Sequence, residues 1–368
     1  MRNRLCGILI KDELFKTKGA NKIEKTQFSK IANGIEEFFP SENKYVYSIP
    51  YYKEGNKVSP NRGKLYDKYC NLKNEIKKIY FQSNKKHNKD NEVFINEEDS
   101  INWLKHNIEP EIILHQLWAE TAHYRNTKLI NENAIHKYPA LKKAIGHILI
   151  DMDFSHLFPS KDQYLLQKFD VFKNKLKTYF KGQLNLNVFE QNIIKKIILP
   201  AKLGNDDLAT IQILPYLFKP VNIKIPKKTA NEDNQKTIKY CMQKPSKLEQ
   251  ASAVIVNITN SNDIKTTHEQ KVNRAFINNL TVQPYIAIVG NIEDASSIMN
   301  YYTVIDNIYF ETPIKALDIC FKSFHALNLN YPPEAEQVWW FIQGYFFEIA
   351  NVHKKKFVTV QTLAKDLQ

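Results

Sequence analysis

The chain is 368 residues long, 43% hydrophobic and 25% charged, with a formal net charge of +13. These are the proportions of a globular protein with a buried core, and they exclude collagen, mucin, wholesale disorder and a disulfide scaffold. No run of about 18 apolar residues occurs, so a membrane-spanning protein is not expected.

The opening MRNRLCGILIKDELF carries basic residues and a short apolar patch, broken at Lys11-Asp12-Glu13 before a signal-peptide core could form. Residues 26–39 read as a helix: Phe28, Ile31, Ala32, Ile35 and Phe38 or Phe39 recur at helical spacing, Thr26 is the expected N-cap, and Pro40 follows the stop. A Tyr- and Pro-rich segment then predicts a short extended piece and a loop. Residues 63–80 predict a second helix on Leu65, Tyr69, Leu72, Ile76 and Ile79, crowded by Arg62, Lys64, Lys68, Lys73, Lys77 and Lys78. Residues 83–99 are polar and charged and read as a linker.

A long helical region follows. Pro110 suits the first position of a helix whose face holds Leu114, Leu117, Trp118, Thr121 and Tyr124 or Arg125. Pro139 starts another, with Leu141, Ile145, Ile148, Leu149 and Met152 as its stripe. Further helices are expected over 163–182, 188–198 and 205–218, and 220–237 reads as an exposed connection with a strand-like beginning. The C-terminal part changes character. PYIAIVG (284–290) and YYTVIDNIYF (301–310) are β-branched and aromatic, and predict two adjacent antiparallel strands. ASAVIVNI (251–258) fits a strand or a buried helix. Two helices close the pattern, one on Ala316, Ile319, Cys320, Ser323 and Leu327, the other opened by Pro332-Pro333 with Val338, Ile342, Tyr345, Phe346 and Ile349 on its face. The last 18 residues read as a partly frayed basic tail.

The charge is uneven. Residues 1–90 carry +10, 91–160 carry −4, 161–230 carry +8 and 231–368 carry −1. A basic block of that size can hold polyanions by neutralising phosphates and releasing counterions. The plainer reading is a solvated Lys-rich surface, because Arg rather than Lys gives bidentate recognition of bases and phosphates. The four cysteines, Cys6, Cys70, Cys241 and Cys320, lie far apart without CxxC or zinc spacing, which suits incidental thiols in a reducing compartment, nucleus or cytoplasm.

No chemical motif completes itself. Asp151-Met-Asp153 is a DxD, which in some transferases shares a divalent cation, but here it ends a predicted helix rather than a strand. Glu120-x-x-His123 has the spacing of a di-iron bundle without the required second copy. His268-Glu269 would need a histidine where Val272 stands, and Arg62-Gly63-Lys64 lacks the rest of a phosphate-binding loop. No cofactor or metal is therefore expected. The aromatic run through Trp339, Trp340, Phe341, Tyr345, Phe346 and Phe347 could stack bases, but residues 281–348 hold 8 acidic side chains against Lys315 and Lys322, a sign that repels nucleic acid. Core packing is the first reading of that run. A protein-docking face on Trp339, Trp340 and Phe347 is the second.

Several segments taken in order carry a resemblance: IANGIEEFFP, GKLYDKYCNLKNEIKK, KYPALKKAIGHILIDMDF, QPYIAIVG and ALDICFKSFHALNLNYPPEAEQVWWFIQGYFFEI. Over roughly residues 28–349 the chain resembles uncharacterised animal proteins similar to sterile-alpha-motif-domain-containing protein 3. The sterile alpha motif itself would precede this region, and the segment before residue 24 is too short to form it. The family offers no catalytic residues to carry over. The resemblance therefore implies a non-enzymatic, interaction-type protein, with an association with mobile elements.

The expected fold is α+β and mostly α-helical. A basic helical module spans 24–82, a helical region 96–220, and an α+β unit 238–350 packs a short sheet on two helices. The expected function is non-enzymatic binding: the N-terminal module contacts nucleic acid non-specifically and the acidic aromatic C-terminal unit contacts an unidentified protein. A pure protein-interaction scaffold, and a degenerate or unrecognised mobile-element-derived enzyme, are the alternatives.

Overall fold

The computed structural model describes residues 2–16, 23–54, 57–73, 97–128, 134–181, 206–226, 240–291, 298, 300–305, 308–310, 312–350 and 357–367. The chain divides into two compact units, Met1–Arg125 and Asn126–Gln368. The fold is α+β and mostly helical, as expected, and no helix among the described residues is long and apolar enough to cross a membrane.

In the first unit, helices α1 (Arg2–Lys16), α2 (Lys25–Phe38) and α4 (64–73) share one core. Helix α3 (Lys44–Tyr47) and a hairpin, β1 (Tyr52–Glu54) against β2 (Lys57–Ser59), lie between α2 and α4 in the chain. Helix α2 buries Phe28, Ala32 and Ile35, and α4 buries Leu65, Tyr69 and Leu72. Each set steps by four and then three, a single helical stripe. The two stripes meet at Phe28, whose ring makes edge contacts with Tyr66 and Tyr69 at 5.7 and 5.5 Å. Cys6 and Ile10 of α1, one turn apart, complete the cluster.

One helix here was not foreseen, one boundary shifts and one helix is seen in part. The opening segment is a helix despite the charged Lys11-Asp12-Glu13, because two buried side chains on one face suffice once two other helices cover them. Helix α2 starts at Lys25 with Glu24 as N-cap, so Thr26 lies in its first turn. The expected helix 63–80 is seen as 64–73, its remainder lying outside the described residues. Downstream, α5 (Glu97–His106) begins inside the expected linker, with three acidic residues in its first turn and Lys105 and His106 in its last, matching the helix dipole. Helix α6 (Glu111–Glu120) buries Ile113, Leu114, Leu117 and Trp118, with Pro110 as N-cap rather than first residue. Arg125, in the following helix α7 (Ala122–Lys128), lays its guanidinium 3.8 Å from the Trp118 ring centre and donates to the Trp118 carbonyl at 2.7 Å. The unit boundary falls within α7.

The second unit continues with α8 (Ala134–Lys137), a 3-10 turn at Pro139–Lys142, α9 (Gly146–Leu157), α10 (Tyr164–Lys181) and α11 (Asp206–Ile213). The expected helix at 139 is thus a 3-10 turn followed by a separate α-helix. The expected helix 188–198 lies outside the described residues. Strands β3 (Ile223–Pro226) and β4 (Tyr240–Gln243) pair antiparallel, and α12 (Lys247–Ser252) starts on a capping box between Ser246 and Glu249.

A four-stranded sheet follows in the order β5 (Ile255–Ile258), β6 (Tyr285–Val289), β7 (Asn300–Val304), β8 (Ile308–Phe310). The ambiguous segment 251–258 thus supplies a strand. It runs parallel to β6 and is joined to it through α13 (Asp263–Ile277), while β6–β7 and β7–β8 are antiparallel. All five residues of β6 are buried. Tyr285, Ala287 and Val289 face a cluster with Ile264 of α13. Thr303, opposite Ile286 in the register, donates its hydroxyl to the Ala316 carbonyl of α14 (Pro313–Ala326) at 3.0 Å. The central strand is therefore covered on both faces, which explains its unbroken apolar run.

Helix α14 is the axis of this unit, with nine consecutive buried residues from Ala316 to Phe324. It packs on the sheet, on α9 and on α11. The expected helical region 96–220 therefore does not stand apart: its helices divide between the two units, and those after Arg125 belong to the core built on α14. Helix α15 (Glu336–Tyr345) follows a 3-10 turn at Pro333–Ala335. The expected frayed tail contains α16 (Val358–Asp366), which packs on α15 through buried Leu363 and Leu367, with the Tyr345 hydroxyl donating to the Leu367 carbonyl at 3.0 Å.

Candidate functional site

Basic residues of the first unit gather along α4, with Lys64 and Lys68 at its seam with α1. Gly63 sets its start. Its φ of +113° is a left-handed conformation that favours glycine, and a Cβ there would lie 2.6 Å from the Tyr47 carbonyl oxygen. Arg62, just before it, is exposed and fixed by a backbone bridge to Ile49, with N–H···O distances of 2.8 and 3.0 Å. From there the two helices match turn for turn. Lys64 Nζ donates to Asn3 Oδ1 at 3.2 Å. One turn on, the Lys68 stem lies over Gly7, where an added Cβ would meet Lys68 Cε at 3.4 Å. Lys73, nine residues and so half a turn round α4 from Lys64, lies on the other flank of the helix, its ammonium 5.6 Å from the Tyr69 ring centre. No carboxylate among the described residues pairs with Arg62, Lys64, Lys68 or Lys73. By contrast, Arg2 is spent on Glu42 at 2.8 Å and Lys44 on Glu36 at 3.5 Å. The Tyr47 hydroxyl, 2.7 Å from Glu42, and then Arg2 hold the Glu42 carboxyl below its ordinary range. Lys77 and Lys78 lie outside the described residues.

The aromatic trio resolves differently. Trp339 and Phe347 are fully buried, so the docking role expected of them is corrected to core packing; only Trp340 is half-buried. Trp339 packs edge-on to Phe324 at 4.7 Å, and Phe347 stacks on Phe321 at 4.2 Å. The alternating burial of adjacent Trp residues follows from the 100° step of the helix.

The carboxylate motifs are also structural. Asp151 and Asp153 sit in the middle of α9, not at a strand end. Asp151 accepts from Lys322 Nζ at 2.5 Å, while Asp153 is buried. Glu120 is exposed and accepts from Gln116 at 2.8 Å, and His123 lies in the next helix. No group of three or more metal-ligating side chains occurs among the described residues. Cys6 and Cys320 are buried, and burial pushes both thiols up, Cys320 strongly.

One site was not legible beforehand. In the second unit a cleft of about 310 Å³ opens between β3, the C-terminal half of α13 and the start of β6, lined by Ile223, Ile225, Val256, Lys271, Tyr285 and Glu334 among others. Lys271 forms part of its wall. Its Nζ donates to the Ser252 carbonyl at 2.8 Å and sits 4.7 Å from the Tyr285 ring centre. Burial lowers its pKa to about 8, against an upward pull from Glu334 and with a further downward push from Arg274. One turn earlier, His268 stacks on the same ring at 6.0 Å, with Nδ1 3.3 Å from the Tyr285 hydroxyl. Burial pushes the Tyr285 phenol far up, so it stays neutral. Gln283 donates to Thr281 Oγ1 at 2.8 Å, while its Oε1 is buried without a partner. Nothing in the sequence singles out Lys271 from 52 Lys and Arg residues. Only the βαβ crossover brings it beside Tyr285.

In comparisons with family models, curated proteins and solved structures, the chain matches none.

Proposed function

We propose that the chain is a non-catalytic binding protein of the nucleus or cytoplasm. Its N-terminal unit holds nucleic acid through phosphate contacts, without sequence preference. The observation that supports this reading is that Arg62, Lys64, Lys68 and Lys73, at the start of α4 and on both flanks of its buried stripe, have no carboxylate among the described residues to neutralise them. Three of the four cations are lysines, which neutralise phosphate as point charges and do not read base edges. The resemblance over residues 28–349 to proteins with no catalytic residues to carry over points the same way.

The test is fluorescence anisotropy of the full chain with labelled duplex DNA, single-stranded DNA and RNA over a salt series. Neutralising four phosphates gives a log–log salt slope of about −3 to −4. The variant Arg62→Glu/Lys64→Glu/Lys68→Glu/Lys73→Glu is expected to lose binding while its thermal melt stays close to the parent's. Unchanged binding in that variant removes the seam from the reading. No binding by the parent even at low salt leaves the scaffold reading, in which these lysines are solvated surface.

A further inference from the structure

We propose that the cleft beside Lys271 is a binding site for a small aldehyde or ketone with an apolar body, which Lys271 holds as a reversible Schiff base. The site lies in the second unit and is independent of the nucleic-acid reading.

The geometry separates half-buried Lys271 from Lys322, the buried lysine among the described residues. Lys322 is 1% exposed and faces two carboxylates, Asp151 at 2.5 Å and Asp318 at 2.7 Å, which raise its pKa against the cost of burial. It stays an ammonium ion with no opening to a ligand. Lys271 borders an open cleft, and its partners are a carbonyl and a ring face, with no carboxylate among the described residues in an ion pair with it. The charged and titratable groups around it are Arg274 and His268 on α13, Tyr285 on β6, Glu249 of α12 and Glu334 beyond α14. Glu249 is engaged by Arg274 and the Ser246 backbone, which leaves Glu334 as the counter-charge. At pH 7.4 an amine with a midpoint near 8 is about one-fifth neutral, against about one-thousandth for an ordinary lysine. The free-amine population is therefore raised about two-hundred-fold.

The chemistry follows from that amine and the walls. The Nζ lone pair adds to the carbonyl carbon, the C–O π bond breaks, and one amine proton passes to oxygen, giving a carbinolamine. Loss of the hydroxyl with the second amine proton releases water and leaves the C=N bond. No electrons are exchanged with a third reagent, and hydrolysis reverses the step. Ile223, Ile225 and Val256 supply apolar contact for the body of the ligand.

The experiment uses the full chain with benzaldehyde and sodium cyanoborohydride from pH 6 to 10, followed by peptide mapping. Lys271 is expected to be alkylated at least about tenfold faster at pH 7.4 than exposed lysines such as Lys265, with a rate midpoint near 8 and saturation in benzaldehyde. Lys271→Met should remove that fast site. Ala253→Trp, which narrows the cleft and keeps the amine, should slow it. The mapping of the parent protein stands without either variant. Labelling of Lys271 no faster than Lys265, or a rate that rises linearly with benzaldehyde and has its midpoint above 10, overturns the proposal.

Discussion

Lys322 and Asp318 stand one turn apart on α14, Nζ 2.7 Å from Oδ2, and both lie inside the core of the second unit. Asp151 from α9 takes a second hydrogen bond from the same ammonium, the Asp162 carbonyl a third at 2.7 Å, and the Phe154 ring lies 5.6 Å away. The cluster clamps α9 and the start of α10 onto α14. Removing one partner of a buried pair leaves the other charge unpaired. Lys322→Met should therefore cost about 3–5 kcal/mol in urea unfolding of the second unit. The double variant Lys322→Met/Asp318→Leu should recover most of the loss, because both charges then leave the core together. A single-variant loss below about 1 kcal/mol would contradict the clamp.

The same helix carries two groups with opposing pH dependence. Burial pushes the Asp318 carboxyl up to about 7, against the attraction of Lys322. Its folded pKa exceeds its ordinary 3.8, so its contribution is fully present below that value and is lost as pH rises to about 7. Burial among Phe154, Phe158 and Phe321 pushes His325 down to about 4. Its contribution is present above 6.5 and is lost as pH falls to about 4. The two offset each other between pH 4 and 7. Asp318→Asn should reveal stability that rises with pH across this window by roughly 3 kcal/mol, and His325→Phe stability that falls by roughly 4 kcal/mol; the parent should be flatter than either. Parallel profiles for the two variants would refute the assignment.

Two glycines of the first unit should respond in opposite directions to alanine. Gly63 has a left-handed φ and the Tyr47 carbonyl 2.6 Å from its missing Cβ, so Gly63→Ala should destabilise by more than about 1 kcal/mol. Gly34 lies inside α2 with open space around its missing Cβ, so Gly34→Ala should stabilise by about 0.5–1 kcal/mol. Thermal melts of the two variants give the sign directly.

The adjacent tryptophans of α15 divide between core and surface. Trp339→Ala should cost about 3–5 kcal/mol by leaving a cavity beside Phe324 and Tyr331. Trp340, half-buried with Nε1 3.2 Å from Glu336, should cost clearly less. Equal losses in denaturant unfolding would mean that Trp340 packs as tightly as its neighbour.

Much of the scaffold is legible because its signals are local. The stripes Phe28–Ala32–Ile35 and Leu65–Tyr69–Leu72 announce two helices, and the apolar run Tyr285–Val289 announces a strand, whose burial on both faces the structure adds. Helices α1 and α16 give weak stripes, since each buries only one or two apolar residues per face and leans on a neighbour for the rest. The basic cluster is half legible: the lysines of α4 are visible, but the alignment of Lys64 and Lys68 with Asn3 and Gly7 is not.

The sequence alone determined the α+β class, the positions of the strongly amphipathic helices and of the central strand, the excess of basic charge at the N-terminal end and the lack of a complete catalytic motif. Those properties depend on neighbours within a turn or a strand. Only the tertiary structure decided which charged groups are neutralised and which stand open. Lys322 meets Asp151 across 171 residues, and Lys271 meets the Tyr285 ring only through the crossover from β5 to β6. A lysine's charge state and reactivity depend on its depth and its counter-ions. Chain packing fixes both over distances that residue spacing does not encode.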